Sequence, residues 1–248
     1  MAYDPLMLAA LLGGALLAGF VTGFAGFGTG LVASGLWFHV LPAAMVPPLV
    51  AISSVGAQCI GLATIRPKFS WAAARPYLVG GLLGVPLGVF ALTSLSPDAL
   101  RLSIGVFLLA YSLTRLLQDR PWSLAGRAGA GADGAIGAIG GFLGGFAGLS
   151  GPVPIIWLQG KGLSFERQRA IFQPYNMAIL SFATAAMGWG GAITRDLLPI
   201  AAIALPVTLL GAWIGGRLYR RASEKLVIRV VLGLLLLSGV VLIAQSLA

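Results

Sequence analysis

The pattern Gly-Phe-x-x-Gly-Phe-Ala-Gly occurs twice in this chain, offset by 122 residues: once at Gly19 to Gly26 and again at Gly141 to Gly148. Each copy sits in a long apolar stretch and leads into further helix-breaking residues. Gly28 and Gly30 follow the first copy; Gly151, Pro152 and Pro154 follow the second. A broken helix frees backbone N–H and C=O groups. Hydrocarbon cannot satisfy them, so such a break must face protein or line a polar cavity. Matching breaks in two halves of an apolar chain point to a duplicated carrier with its binding site at the breaks.

The setting is a membrane. Of 248 residues, 58% are hydrophobic and 9% charged, where a soluble domain has about 25% charged. That is too few charges to surface a soluble core, so the chain reads as an all-α polytopic membrane protein. The net charge of +9 does not form one patch. Lys and Arg fall in short loops between apolar segments, where they report orientation rather than nucleic-acid binding. A single cysteine, Cys59, excludes an intrachain disulfide; its apolar surroundings predict a small buried residue. His39, near a segment end, reads as interfacial. The N-terminus is apolar from Leu6 and preceded by Asp4 rather than by Lys or Arg. It lacks the basic start of a secretory signal and reads as retained structure.

Apolar segments fall at roughly 6–23, 27–64 (divisible), 76–95, 98–118, 134–159 (broken), 168–190, 195–216 and 226–246. The stretch 119–133 differs in composition and separates an N-terminal repeat, 1–118, from a C-terminal repeat, 134–248. Gly84 and Gly88 in the first half have counterparts in Gly211 and Gly215; small residues at this spacing predict close helix packing.

Charge decides the topology. Eight simple crossings divide the sixteen Lys and Arg nine to seven, which favours no orientation. If 6–41 and 134–159 instead enter and return on one side as re-entrant hairpins, fourteen fall on one face. Those include Arg115, Lys161 and Arg167, and only Arg101 and Arg195 remain opposite. The positive-inside rule then puts the 119–133 linker in the cytoplasm and both termini outside. Each repeat becomes a hairpin plus three spanning helices. Three is odd, so the repeats are inverted and their hairpin tips approach from opposite faces. The return arm 152–159 spans only ~12 Å as a helix, too short for a ~30 Å hydrocarbon core.

The tips suit an anion. The second half of a broken helix begins with unpaired N–H groups at a positive dipole end. Gly26, Gly28, Thr29 and Gly30 in the first tip, and Gly148, Ser150 and Gly151 in the second, combine such N–H groups with hydroxyls and open backbone. On the following helices, Ser53 and Ser54 map by the offset onto Tyr175 and Asn176, which Gln173 precedes. Serine in a helix also bonds its own backbone. Gln173 and Asn176 are costlier to bury and read as cavity-lining. Arg169 starts that helix as a substrate contact or a cytoplasmic anchor. No metal-ligand spacing, buried carboxylate pair or nucleophile–base arrangement points to an enzyme, a metal or a cofactor. Asp133 and the other six acids fall at predicted ends or loops.

The stretch Gly141-Phe-Leu-Gly-Gly-Phe-Ala-Gly-Leu-Ser-Gly-Pro-Val-Pro-Ile-Ile, with Arg169-Ala170 after it and Gly23-Phe-Ala-Gly-Phe-Gly-Thr-Gly in the first half, resembles the sulfite exporter TauE/SafE family of membrane permeases. The resemblance covers nearly the whole chain. It implies a multi-pass protein of the cell (inner) membrane that moves a small sulfur-containing anion, such as sulfite or an organosulfonate. Export is the activity in the family's name. The expected function is a secondary transporter alternating access around the two tips. A passive anion channel and a non-transporting scaffold or sensor are the alternatives. A site of N–H groups, hydroxyls and amides predicts a compact oxyanion and no pocket for a large organic group. The expected partners are that anion and the lipid bilayer; nothing in the sequence sets direction, coupling ion or oligomeric state.

Overall fold

The computed structural model describes residues 5–65, 69–117, 129–218 and 224–247. Every regular element among them is helical. The first half contains α1 (Pro5–Ala25), α2 (Thr29–Trp37), a 3-10 turn (Ala43–Met45), α3 (Val46–Ile65), α4 (Trp71–Ser94) and α5 (Pro97–Leu117). The second contains α6 (Ala130–Ala147), α7 (Pro152–Gly160), α8 (Phe165–Trp189), α9 (Leu197–Leu218) and α10 (Glu224–Leu247). Each half thus runs as a long helix, a nine-residue helix and three long helices. Of the linker, residues 119–128 lie outside the described residues.

Local sequence explains several boundaries. Proline opens α1, α5 and α7, where its missing N–H has no intrahelical partner to lose. Ser164 caps α8, its side chain accepting from the Arg167 N–H at 3.4 Å. The breaks after α1 and α6 fall where Gly26, Gly28 and Gly148 take φ of +86°, +115° and +70°, a region open to glycine without steric strain.

Both short helices double back along their predecessors. At the far end of α2, the Trp37 indole N–H donates to the Leu11 carbonyl of α1 at 3.2 Å. At the far end of α7, the Trp157 indole and the Lys161 ammonium reach Asp133 in the first turn of α6. Nine residues rise only ~13 Å, less than half of a hydrocarbon core. By contrast α1, α4, α5, α9 and the segment 43–63 are long and apolar enough to cross a bilayer. Leu83, Leu87 and Phe90 of α4 and Leu237 of α10 are exposed on the outside, as a lipid solvent permits. The chain is an all-α, multi-pass membrane protein. Cys59 departs from expectation: it is exposed, on the outer side of α3 rather than in the core.

The repeated motif divides into three jobs. Its Phe pair stacks at helical spacing, 5.9 Å between the rings of Phe20 and Phe24 and 5.7 Å between Phe142 and Phe146. Its last glycine takes the left-handed turn. Its first two glycines form seams. Gly19 and Gly23 of α1 press on the backbone carbonyls of Thr208 and Ala212 in α9, and Gly211 and Gly215 press back on Leu16 and Phe20. Gly141 and Gly145 of α6 meet the carbonyls of Gly81 and Val85 in α4, and Gly84 and Gly88 meet Ala138 and Phe142. A methyl group at any of these positions would overlap the facing carbonyl. Each seam joins a helix of one half to a helix of the other.

Candidate functional site

The turn Gly26-Phe27-Gly28 leaves the last carbonyls of α1 without helical partners, the general condition of a helix C-terminus. Two neighbouring helices supply them. The Gln58 amide of α3 donates to the Gly26 carbonyl at 3.0 Å. The Arg169 guanidinium of α8 donates to the Phe24 carbonyl at 3.2 Å, a cation at the negative end of the helix dipole. Across the break, the Thr22 hydroxyl accepts the Thr29 N–H at 2.6 Å and also bonds the Thr29 hydroxyl. The second tip caps itself. Gly148 N–H bonds the Gly144 carbonyl at 2.9 Å and Leu149 N–H the Leu143 carbonyl at 3.1 Å, the paired bonds of a glycine-terminated helix.

The two tips touch. Gly30 faces the Gly148 carbonyl, and Gly151 faces Phe27. Between them lies a small cavity of about 20 Å³. Gly28, Thr29, Gly30, Gly148, Ser150, Gly151, Ser54 and Asn176 all line it. Ser54 is the ninth residue of α3 and Asn176 the twelfth of α8, so the cavity sits at mid-height of both helices. The Ser150 hydroxyl donates to the Asn176 side-chain carbonyl, which leaves the Asn176 amide N–H groups to donate elsewhere. The Ser54 hydroxyl is buried with no hydrogen-bond partner.

The tips are unequal as donors. Gly28 has no side chain to cap α2; Thr22 takes the Thr29 N–H, and the first-turn N–H groups at Gly30 and Leu31 have no intrahelical acceptor. α7 begins Pro152-Val153-Pro154, so two of its first three residues carry no N–H. The dominant backbone donor is therefore the first tip. Gly151 has φ of −81°; space between Phe27 and Phe172, not a positive φ, explains its glycine.

Other expected residues lie elsewhere. Ser53 and Gln173 are buried, with the Ser53 hydroxyl and the Gln173 side-chain oxygen unpartnered, but neither lines the cavity. Gly26 and Arg169 stand behind the first tip, with Arg169 buried against it rather than anchored at an interface. Thr22 and Gln58, which sequence reasoning missed, do line it. Gln58 had a signal: it follows Ser54 by one helical turn in an otherwise apolar segment.

A second cavity of about 150 Å³ adjoins the first and shares Phe27, Gly28 and Leu31 with it. Its walls are largely apolar, including Ile155, Phe172 and Leu232, and it carries Arg115, Gln159, Gln168 and Arg169. It leaves room for a small apolar group beside the compact tip cavity. Among the described residues, neither lining contains Asp or Glu.

Asp133 is a further correction. It begins α6 as expected, but it is 9% exposed. Tyr77, Trp157 and Lys161 donate to it at 2.7, 2.8 and 2.7 Å. Four polar side chains thus bind the far end of α7 to α6 and α4. Among the described residues, no group of His, Cys, Asp and Glu is placed to hold a metal.

No solved structure matches the chain. It is 29% identical over 259 residues to a probable sulfite/organosulfonate exporter TauE of Cupriavidus necator, covering 98% of this chain and 96% of that protein. The sulfite exporter TauE/SafE profile matches residues 11–242. That match takes in both tips, both seams and both cavities' linings, and the chain belongs to the sulfite exporter TauE/SafE family.

Proposed function

We propose that the chain is a secondary transporter that exports a small sulfur oxyanion, sulfite or the sulfonate head of an organic molecule, by alternating access around the paired tips. The observation that carries this reading is the mid-height cavity. It combines the Gly30 and Leu31 N–H groups at the start of α2, the unpartnered Ser54 hydroxyl and the Asn176 amide with a lining that, among the described residues, holds no carboxylate. An oxyanion accepts hydrogen bonds and needs donors; a cation would need the carboxylates that are missing. The apolar walls of the adjoining cavity suit an organic tail behind the head. The Cupriavidus necator relative, whose name specifies sulfite and organosulfonate, supports the same class.

In the bilayer, α1–α2 and α6–α7 are re-entrant hairpins, and the two repeats are inverted. The cytoplasmic face carries Arg115, Lys161 and Arg167, and both termini face outward. Support comes from the charge asymmetry, thirteen to two once the buried Arg169 is set aside, and from the nine-residue return arms α2 and α7, too short to cross.

The experiment is a thermal-stability screen of purified protein against sulfite, sulfate, thiosulfate, alkylsulfonates, carboxylates and a bulky cation, followed by sulfite flux in proteoliposomes. A true ligand at 100 times its Kd stabilises by about 2.7 kcal/mol, and Gly151→Leu, which wedges Phe27 from Phe172, abolishes that shift. Stabilisation by the cation with none by any anion overturns the reading. Flux far above carrier rates replaces the carrier with a channel.

A further inference from the structure

We infer that the larger cavity carries a second oxyanion subsite, built on Arg115 with Gln159 and Tyr111, at which the anion is held before it reaches the tips. This deepens the tip-site reading and rests on it.

Position comes first. Arg115 lies two residues before the end of α5, Gln159 is the penultimate residue of α7, and Gln168 is the fourth of α8. All three line the cavity at the end of the bundle that carries Lys161 and Arg167. The same cavity runs inward to Phe27, Gly28 and Leu31, which also line the tip cavity. One continuous set of walls therefore links that end of the bundle to the tips.

Chemistry comes second. Lys161 is paired with Asp133 at 2.7 Å, and Arg101 on the surface with Asp98 at 3.2 Å. Among the described residues Arg115 has no such pair. Its guanidinium donates to the neutral Gln159 amide oxygen at 2.8 Å. That bond uses one of five N–H donors and leaves the charge uncompensated by its partner. Arg169, the other charged residue of this lining, has the same sign. Two guanidinium groups in apolar walls, with no carboxylate among the lining residues, raise the local concentration of an anion. The planar fork of Arg115 matches two oxygens of a sulfite or sulfonate group, and the Tyr111 side chain stands on the same wall.

The test is equilibrium dialysis of radiolabelled sulfite against detergent-solubilised full-length protein at low ionic strength. Wild type should bind two ions per chain. Arg115→Gln should bind one, with the remaining affinity within twofold of the wild-type tip site. Arg115→Lys should keep two, the second weakened. Asn176→Leu should weaken the tip ion and spare the other. Monodispersity on gel filtration confirms that each variant folds. One ion in wild type, unchanged in Arg115→Gln, overturns the subsite and leaves the tip site standing. Two ions, with neither affected by Asn176→Leu, overturn the tip site and leave the subsite. Loss of all binding in monodisperse Arg115→Gln makes Arg115 part of a single site and overturns the inference. No binding to wild type overturns both.

Discussion

The carbonyl oxygen of Gly148 lies 2.7 Å from the point where a side chain on Gly30 would begin. This contact joins the two tips directly, and it exists because Gly30 has no Cβ. A methyl group there would also come within 2.8 Å of the Leu149 side chain. Gly30→Ala should therefore push the tips apart and weaken sulfite binding at least tenfold while the protein stays folded. Gly61→Ala, whose Cβ would meet nothing within 4 Å, is the matched control and should bind as wild type. Equal sulfite-induced thermal shifts in the two variants would show that the tip contact is irrelevant to binding.

Asn176→Leu removes the amide that accepts from Ser150 and faces the cavity. A hydrogen bond to a charged partner contributes about 1.5–3 kcal/mol, so sulfite affinity should fall about 10- to 150-fold. Calorimetric titration of the detergent-solubilised variant reads this directly. An unchanged Kd would place the anion elsewhere.

The Asp133 cluster is a stability element outside both cavities. Asp133→Leu leaves the Lys161 ammonium without its carboxylate in a site where its side chain is 20% exposed. Breaking a buried pair from one side costs about 3–5 kcal/mol, and the partial exposure of Lys161 reduces this to roughly 2–3 kcal/mol. Adding Lys161→Met should recover part of the loss, because no unpaired charge remains. Thermal unfolding of the two single variants and the double variant gives the coupling. Simple additivity would mean that Asp133 and Lys161 contribute nothing to stability through each other.

The proposed topology is open to labelling. In a Cys59→Ala background, Gly126→Cys should be protected from an impermeant thiol reagent in intact cells and reactive once the membrane is opened. The background substitution is needed because Cys59 is exposed on the protein surface. Reaction of residue 126 from outside would reverse the orientation proposed from charge.

The repeated motif made the two matching sets of five helices legible, because glycine and proline act on the local backbone wherever they fall. The same logic located Gly28, Thr29, Gly30, Ser150 and Gly151 in one place, and the repeat offset correctly coupled Ser54 to Asn176. Thr22 was hidden because a threonine in an apolar helix ordinarily bonds its own backbone. Its bond to Thr29 exists only once α2 has folded back. Asp133 looked like an ordinary acid in a first helical turn. Its Lys161 partner stands 28 residues away and becomes a neighbour only when the hairpin closes. Glycine spacing at Gly84, Gly88, Gly211 and Gly215 announced close packing but not the partner, because a seam is indifferent to which half supplies the opposing backbone.

That indifference separates ancestry from mechanics. The repeats proposed from the sequence are α1 to α5 and α6 to α10, yet the tightest junctions weld α1 to α9 and α4 to α6. Pulling the copies apart as two blocks would shear backbone from backbone along both junctions at once. In the alternating access proposed above, the pieces that would move as solid bodies are therefore chimaeras, each assembled from both halves and each ending in one glycine turn. On that proposal, a displacement of one chimaera would change the position of its own tip against the other, gearing the opening and closing of the cavity to the very contacts that hold the halves together.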